Sequence, residues 1–104
     1  EARFARGAIG AEHIGLSKYK LNPGHRLAFG HRHEKSEEAY LVLSGSGRFR
    51  VDDEVFDIGP LDIVYCSPDA MRGWEAGSDG MELLAFGAHT EGEESEMDRE
   101  FWTD

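Results

Sequence analysis

The 104 residues carry 21 acidic side chains against 11 basic ones, a formal charge of −10; this excludes the basic face that nucleic-acid binding needs and repels anionic lipid surfaces. The length fits one domain with a modest core, no apolar run approaches the roughly 18 residues of a membrane span, and no charged-then-apolar leader pattern opens the sequence. A single cysteine, Cys66, allows no internal disulfide, so the expected setting is reducing and cytoplasmic, with no nucleic-acid and no membrane partner.

Strand punctuation dominates the chain. Thirteen glycines are spread through it, and short apolar runs alternate with turn residues about every 8–12 positions, the spacing of a sandwich or barrel. Residues 1–13 read as an N-terminal arm in which Phe4 is available for docking. His13 to Leu21 alternates as a strand and stops at Asn22-Pro23-Gly24. Residues 25–33 carry three histidines, His25, His31 and His33.

From Glu38 the next strand runs through Ala39-Tyr40-Leu41-Val42-Leu43, an apolar stretch that predicts cover on both faces. Gly45-Ser46-Gly47 predicts a bend or bulge. Arg48 to Val51 and Glu54 to Ile58 then flank Asp52-Asp53, a two-residue hairpin turn. That register sets Phe49 opposite Phe56 and Arg48 opposite Asp57, both favourable cross-strand pairs. Gly59-Pro60 ends the hairpin. Asp62 to Cys66, Met71 to Glu75 and Met81 to Ala88 supply three more strands. The barrel spans residues 14–89, and residues 90–104 form an acidic tail. Its carboxylates from Glu91 to Glu100 read as a solvated face, and Phe101-Trp102 can pin it to the barrel or to a second subunit. No repeat, linker or long helix is visible.

The chemistry concentrates in His31-x-His33 followed by Glu38. Side chains at i and i+2 on an extended strand share a face. Two imidazoles and a carboxylate aimed into one cavity are the raw material of a metal site with open positions. Cys66, beside apolar residues, reads as a buried structural thiol. By alternation Tyr40 and Trp74 face inward, lining the cavity or packing the core. His13 and His89 have no motif partner.

The pattern Gly24, His31-x-His33-x4-Glu38-x6-Gly45, with Glu37 to Gly47 as strand and turn, resembles the first motif of the cupin superfamily. Six residues rather than the usual five separate Gly24 from His31. The resemblance covers roughly residues 14 to 88 and implies an all-β, single-domain antiparallel jelly-roll barrel, commonly a homodimer. It also implies a divalent ion on two histidines, a glutamate and a third histidine. The family's second motif, Gly-x5-Pro-x-Gly-x2-His-x3-Asn, aligns only by apolar pattern and spacing, on Asp62 to Tyr65, Pro68 and Trp74. Leu61, Ser67, Asp69, Arg72 and Ala76 then occupy the five signature positions, and none matches. Arg72 stands where the last ligand belongs.

A guanidinium has no lone pair to give a metal. With a divalent ion, two neutral imidazoles, Glu38 and Arg72 sum to a formal +2, a repulsion that a bridging anion relieves. Without an ion, Glu38 and Arg72 balance. The expected site is therefore His31, His33 and Glu38 for one divalent ion (zinc, iron, manganese or nickel) or for none. Arg72, Tyr40, Trp74 and His25 are expected around a small, anionic ligand. Three functions follow from this set. One is a small-molecule-binding cupin with a degenerate centre. The second is a metal-dependent dioxygenase, isomerase or lyase acting on a carboxylate. The third is a metal-free dimeric interaction module. The barrel itself does not choose among them.

Overall fold

A computed structural model describes residues 1–88 and 92–104. His89, and with it the boundary expected at 89/90, lies outside the described residues. Eight strands follow in chain order: β1 (Ala2–Phe4), β2 (Ile14–Leu21), β3 (Gly30–His33), β4 (Glu38–Val51), β5 (Glu54–Ile58), β6 (Ile63–Cys66), β7 (Arg72–Ala88) and β8 (Ser95–Asp98). Among the described residues there is no helix, and so none long and apolar enough to cross a membrane. All pairings are antiparallel, and the single sheet curls into the expected all-β barrel.

The two longest strands form the spine. β4 pairs with β7 from Glu38 opposite Gly87 to Val51 opposite Arg72. β2 lines the other side of β7 from Ile14 opposite Ala88 to Leu21 opposite Met81. The hairpin register is the one its cross-strand pairs favour: Phe49 faces Phe56 and Arg48 faces Asp57. The strands expected at Met71 to Glu75 and Met81 to Ala88 are one strand. Between Ala76 and Met81, β7 has residues 77–80 where β4 has only Ser46 between Gly45 and Gly47. The excess is absorbed as a bulge, which bends a strand without ending it. Gly45 sits there at φ 76°, and a Cβ on it would overlap the Gly80 carbonyl, so no other residue fits this turn of the backbone.

Alternation along the strands fills the interior. Tyr40, Val42, Phe49, Val64, Cys66, Trp74 and Leu83 are all buried in one cluster. Trp74 is its centre, edge-on to Tyr19 at 5.0 Å and stacked on Phe49 at 5.5 Å between centroids. The expectation that both faces of the 39–43 stretch are covered is not met. Leu43 is 39% exposed, and Ile63 and Tyr65, across β6, are 65% and 59% exposed. The chain makes a single curled antiparallel wall that packs on its inner face only. Phe4 is likewise exposed, touching Tyr19 edge-on at 6.3 Å.

The C-terminal segment is built into the sheet. β8 pairs with β3 from Gly30 opposite Asp98 to His33 opposite Ser95, while Glu94, Glu96 and Glu100 stay exposed as an acidic face. Phe101, 2% exposed, lies flat against Gly30 and Gly73, where any side chain at either position would run into its ring. Trp102 Nε1 donates to the Leu27 carbonyl at 2.8 Å, and Arg26 caps its ring at 4.5 Å.

Candidate metal and ligand site

β3 and the start of β4 bring the motif together. His31 and His33, two apart on β3, point the same way, and Glu38 opens β4 on the inner face with Tyr40. One ligand atom from each of His31, His33 and Glu38 lies within 4.8 Å of the others. All three side chains are four-fifths or more buried.

Glu38 Oε1 is the hub. Tyr40 donates its hydroxyl to it at 2.6 Å. His33 Nε2 lies at 2.9 Å, and His31 Nε2 and Arg72 Nη2 each at 3.5 Å. Burial by itself would raise the Glu38 carboxyl, but the hydrogen bonds from His31, His33 and Tyr40 outweigh it and hold the group well below the usual carboxylate range. The neighbouring acids shift the other way. Burial, then the Glu38 charge, pushes the Tyr40 phenol well above its ordinary value and raises Tyr19 as well. Burial pushes the Cys66 thiol up to about 11, which agrees with an inert structural cysteine.

Arg72 is fully buried, directly across from His31 in the β3–β7 register. Its Nη1 donates to the carbonyls of Ala70 at 2.7 Å and Pro68 at 3.1 Å, and its Nε to the Tyr40 hydroxyl at 3.2 Å. Nη2 has no hydrogen-bond acceptor, and neither has Nε1 of the buried Trp74. An unsatisfied buried donor costs about 1–3 kcal/mol, and Nη2 lies beside an oxygen already crowded by three other donors. A guanidinium held this way is a preset positive charge beside the three ligand atoms.

Of the residues expected around a ligand, the structure gathers Arg72, Tyr40 and Trp74; the Trp74 ring meets His31 at 6.1 Å. It leaves out His25. That residue is exposed in the turn after β2, where its N–H bonds Asn22 and its carbonyl accepts from Ala76. Those two backbone bonds fix the turn, and its side chain is left toward solvent. Three neighbours of the cluster lie outside the expected set. Tyr19 has a signal, since alternation through β2 turns it inward with Leu21. Glu93 and Ser95 have none, because they sit in a run of carboxylates that looks uniformly solvated.

The donor set fits a divalent ion: two imidazole nitrogens and a carboxylate oxygen converge, a combination suited to iron, zinc, manganese or nickel. A cleft of about 290 Å³ reaches the edge of Glu38 from the outer face of the sheet, with Ala39, Tyr65 and Phe86 in its walls; His31, His33 and Arg72 do not line it.

Comparison with known proteins agrees with this architecture. The sequence profile described as "Cupin domain" matches residues 17–86. A 5-nitrosalicylic acid 1,2-dioxygenase from Bradyrhizobium is 31% identical over 64 residues, which make up 62% of this chain and 30% of that enzyme; the chain thus spans under a third of that relative. The crystal structure of a cupin protein from Bacteroides fragilis superposes with a TM-score of 0.81 at 25% identity, covering 88% of this chain and 79% of that one. An oxalate decarboxylase from Bacillus subtilis shares the fold alone, with a TM-score of 0.72 at 23% identity over 84% of this chain and 24% of its own. On the family match across two thirds of its length and on the barrel it folds into, this chain belongs to the cupin family.

Proposed function

We propose that this chain binds a small carboxylate in its barrel, next to one divalent ion held by His31, His33 and Glu38. The observation that carries the reading is Arg72: a buried guanidinium with Nη2 lacking an acceptor, 3.5 Å from Glu38 Oε1. A divalent ion beside that fixed cation leaves the centre with excess positive charge, and a carboxylate bridging the two neutralises it. When bound, the ion supplies Lewis-acid polarisation or oxygen activation. The chain's own residues do the rest. Arg72 orients the carboxylate, the Pro68 and Ala70 carbonyls and Tyr40 keep the guanidinium in place, and the buried Trp74 ring backs His31. The named relative acts on 5-nitrosalicylic acid, itself a carboxylic acid. That favours a dioxygenase as the catalytic form of this reading, ahead of an isomerase or lyase.

The test is metal analysis of protein from cells grown with added iron, manganese, nickel and zinc, followed by calorimetric titration with salicylate and aliphatic carboxylates. We expect near one equivalent of metal, and carboxylate binding that Arg72→Gln abolishes and Arg72→Lys only weakens. Less than about a tenth of an equivalent of every metal would remove the ion from the reading. A metal-free module is favoured by one observation, the occupation of Glu38 Oε1 by Tyr40 and His33 as a closed hydrogen-bond network. In that case carboxylates alone, without added metal, are expected to raise the melting temperature.

A further inference from the structure

His33 is held by the C-terminal segment as well as by Glu38. Ser95 Oγ lies 3.2 Å from its Nδ1, and Glu93 Oε2 lies 4.0 Å from the same nitrogen. Both come from the C-terminal segment. The β3–β8 register sets Ser95 directly opposite His33, and directly opposed residues on antiparallel strands project to the same face. The segment is fastened on both sides of that contact. Glu93 Oε1 accepts from the Lys35 and Ser36 amides at 2.5 and 2.6 Å, and its Oε2 accepts from the Ser36 hydroxyl at 2.5 Å. Beyond β8, Phe101 is seated on Gly30 and Gly73. A cleft of about 350 Å³ with His33 and Ser95 in its lining borders the contact.

The chemistry of an imidazole ligand gives this contact a purpose. A histidine that offers the Nε2 lone pair to an ion carries its proton on Nδ1, and that N–H needs an acceptor. Ser95 Oγ has lone pairs to accept it, with the Glu93 carboxylate just beyond. When Nε2 instead donates to Glu38, Nδ1 becomes an acceptor, and the same hydroxyl can turn and donate. A hydroxyl serves both arrangements; a methyl group serves neither.

We propose that Ser95, carried to His33 by β8, is a positioning residue for the metal centre, so that divalent-ion affinity at His31, His33 and Glu38 depends on the docked C-terminal strand. This rests on the metal-binding reading above, and the experiment separates the two. Metal-free wild type, Ser95→Ala and Ser95→Thr are titrated with Zn²⁺ and with Ni²⁺ by calorimetry, and their metal-free melting temperatures are compared. Loss of an outer partner of a ligating histidine weakens metal binding by about 10–100-fold, so Ser95→Ala is expected to bind at least about tenfold more weakly. Ser95→Thr, which keeps the hydroxyl at an exposed position, is expected to stay near wild type. All three melting temperatures are expected to agree. In the Zn²⁺-loaded wild type, nitrogen NMR of the histidines is expected to place the His33 proton on Nδ1. Equal affinity of Ser95→Ala and wild type, or equal weakness of Ser95→Thr and Ser95→Ala, overturns the inference and leaves the metal reading standing. A wild type that binds neither ion overturns both.

Discussion

Glu38, Tyr40 and Arg72 project from the two longest strands, of 14 and 17 residues, which are paired to each other along most of their length. His31 and His33 project from a strand of four residues, joined to β7 at a single register position and to β8 at four. One half of the site is thus fixed by the aromatic core beneath it. The other half is fixed by the C-terminal segment alongside it. Local stability varies within a domain according to such contacts, so the two halves should answer differently to the same kind of disturbance.

The largest contrast is expected from truncating a core ring against truncating a rim ligand. Trp74→Ala removes a fully buried side chain packed against Tyr19, Tyr40 and Phe49 and should cost about 3–5 kcal/mol in urea unfolding. His31→Ala, also in contact with that indole, should cost no more than about 1 kcal/mol in the metal-free protein. Comparable losses from the two variants would erase the distinction between the halves.

Phe101→Ala attacks the rim through its anchor. Its expected signature is local: amide hydrogen exchange in β3 and β8 faster by at least about tenfold, with the protected amides of β4 and β7 little changed. Uniform acceleration across all four strands would mean that the C-terminal segment belongs to the same cooperative unit as the spine.

Acid gives the smallest and most specific effect, at the hub where the halves meet. The Glu38 carboxyl is held below its ordinary range. It therefore contributes stability that is complete above its unfolded pKa of about 4.3 and is lost as pH falls further toward its folded value. The melting temperature of metal-free protein should drop below about pH 4.5, and Glu38→Gln should flatten that part of the profile. A profile with the same slope in both proteins would show that other carboxylates govern acid unfolding.

The same division explains what could be read from the sequence. His31, His33 and Glu38 were legible because two periodic rules act over a few residues: alternation puts the histidines on one face, and the next strand begins at the glutamate. Arg72 is legible only through the resemblance, as the residue that falls where the second cupin motif has its last ligand, and the structure sets its side chain beside Glu38. The Phe49–Phe56 hairpin followed from its turn and its pairs. The rim was not legible. Nothing local in Ser95-Glu96-Met97-Asp98 marks a strand, since its pairing partner lies some sixty residues earlier and its side chains stay in water. The expected strands Met71 to Glu75 and Met81 to Ala88 leave a gap that the sequence does not fill, because a bulge and a turn use the same residues and only the partner strand decides between them. His25 drew attention by nearness in sequence, yet two backbone bonds hold it in a turn away from the cluster.

The two tryptophans fall one to each half. Trp74 is dark to solvent, and its N–H lacks a partner; Trp102 is partly exposed, and its N–H is bonded to Leu27. An indole in a dry aromatic setting emits at shorter wavelength than one near water, so the chain carries two native optical probes with different colours. Trp102→Phe leaves a fluorophore that looks only at the floor of the site, and its subtraction from wild type isolates the signal of the C-terminal anchor. Undocking of the rim and loosening of the core can then be followed separately in one cuvette, without attaching a dye.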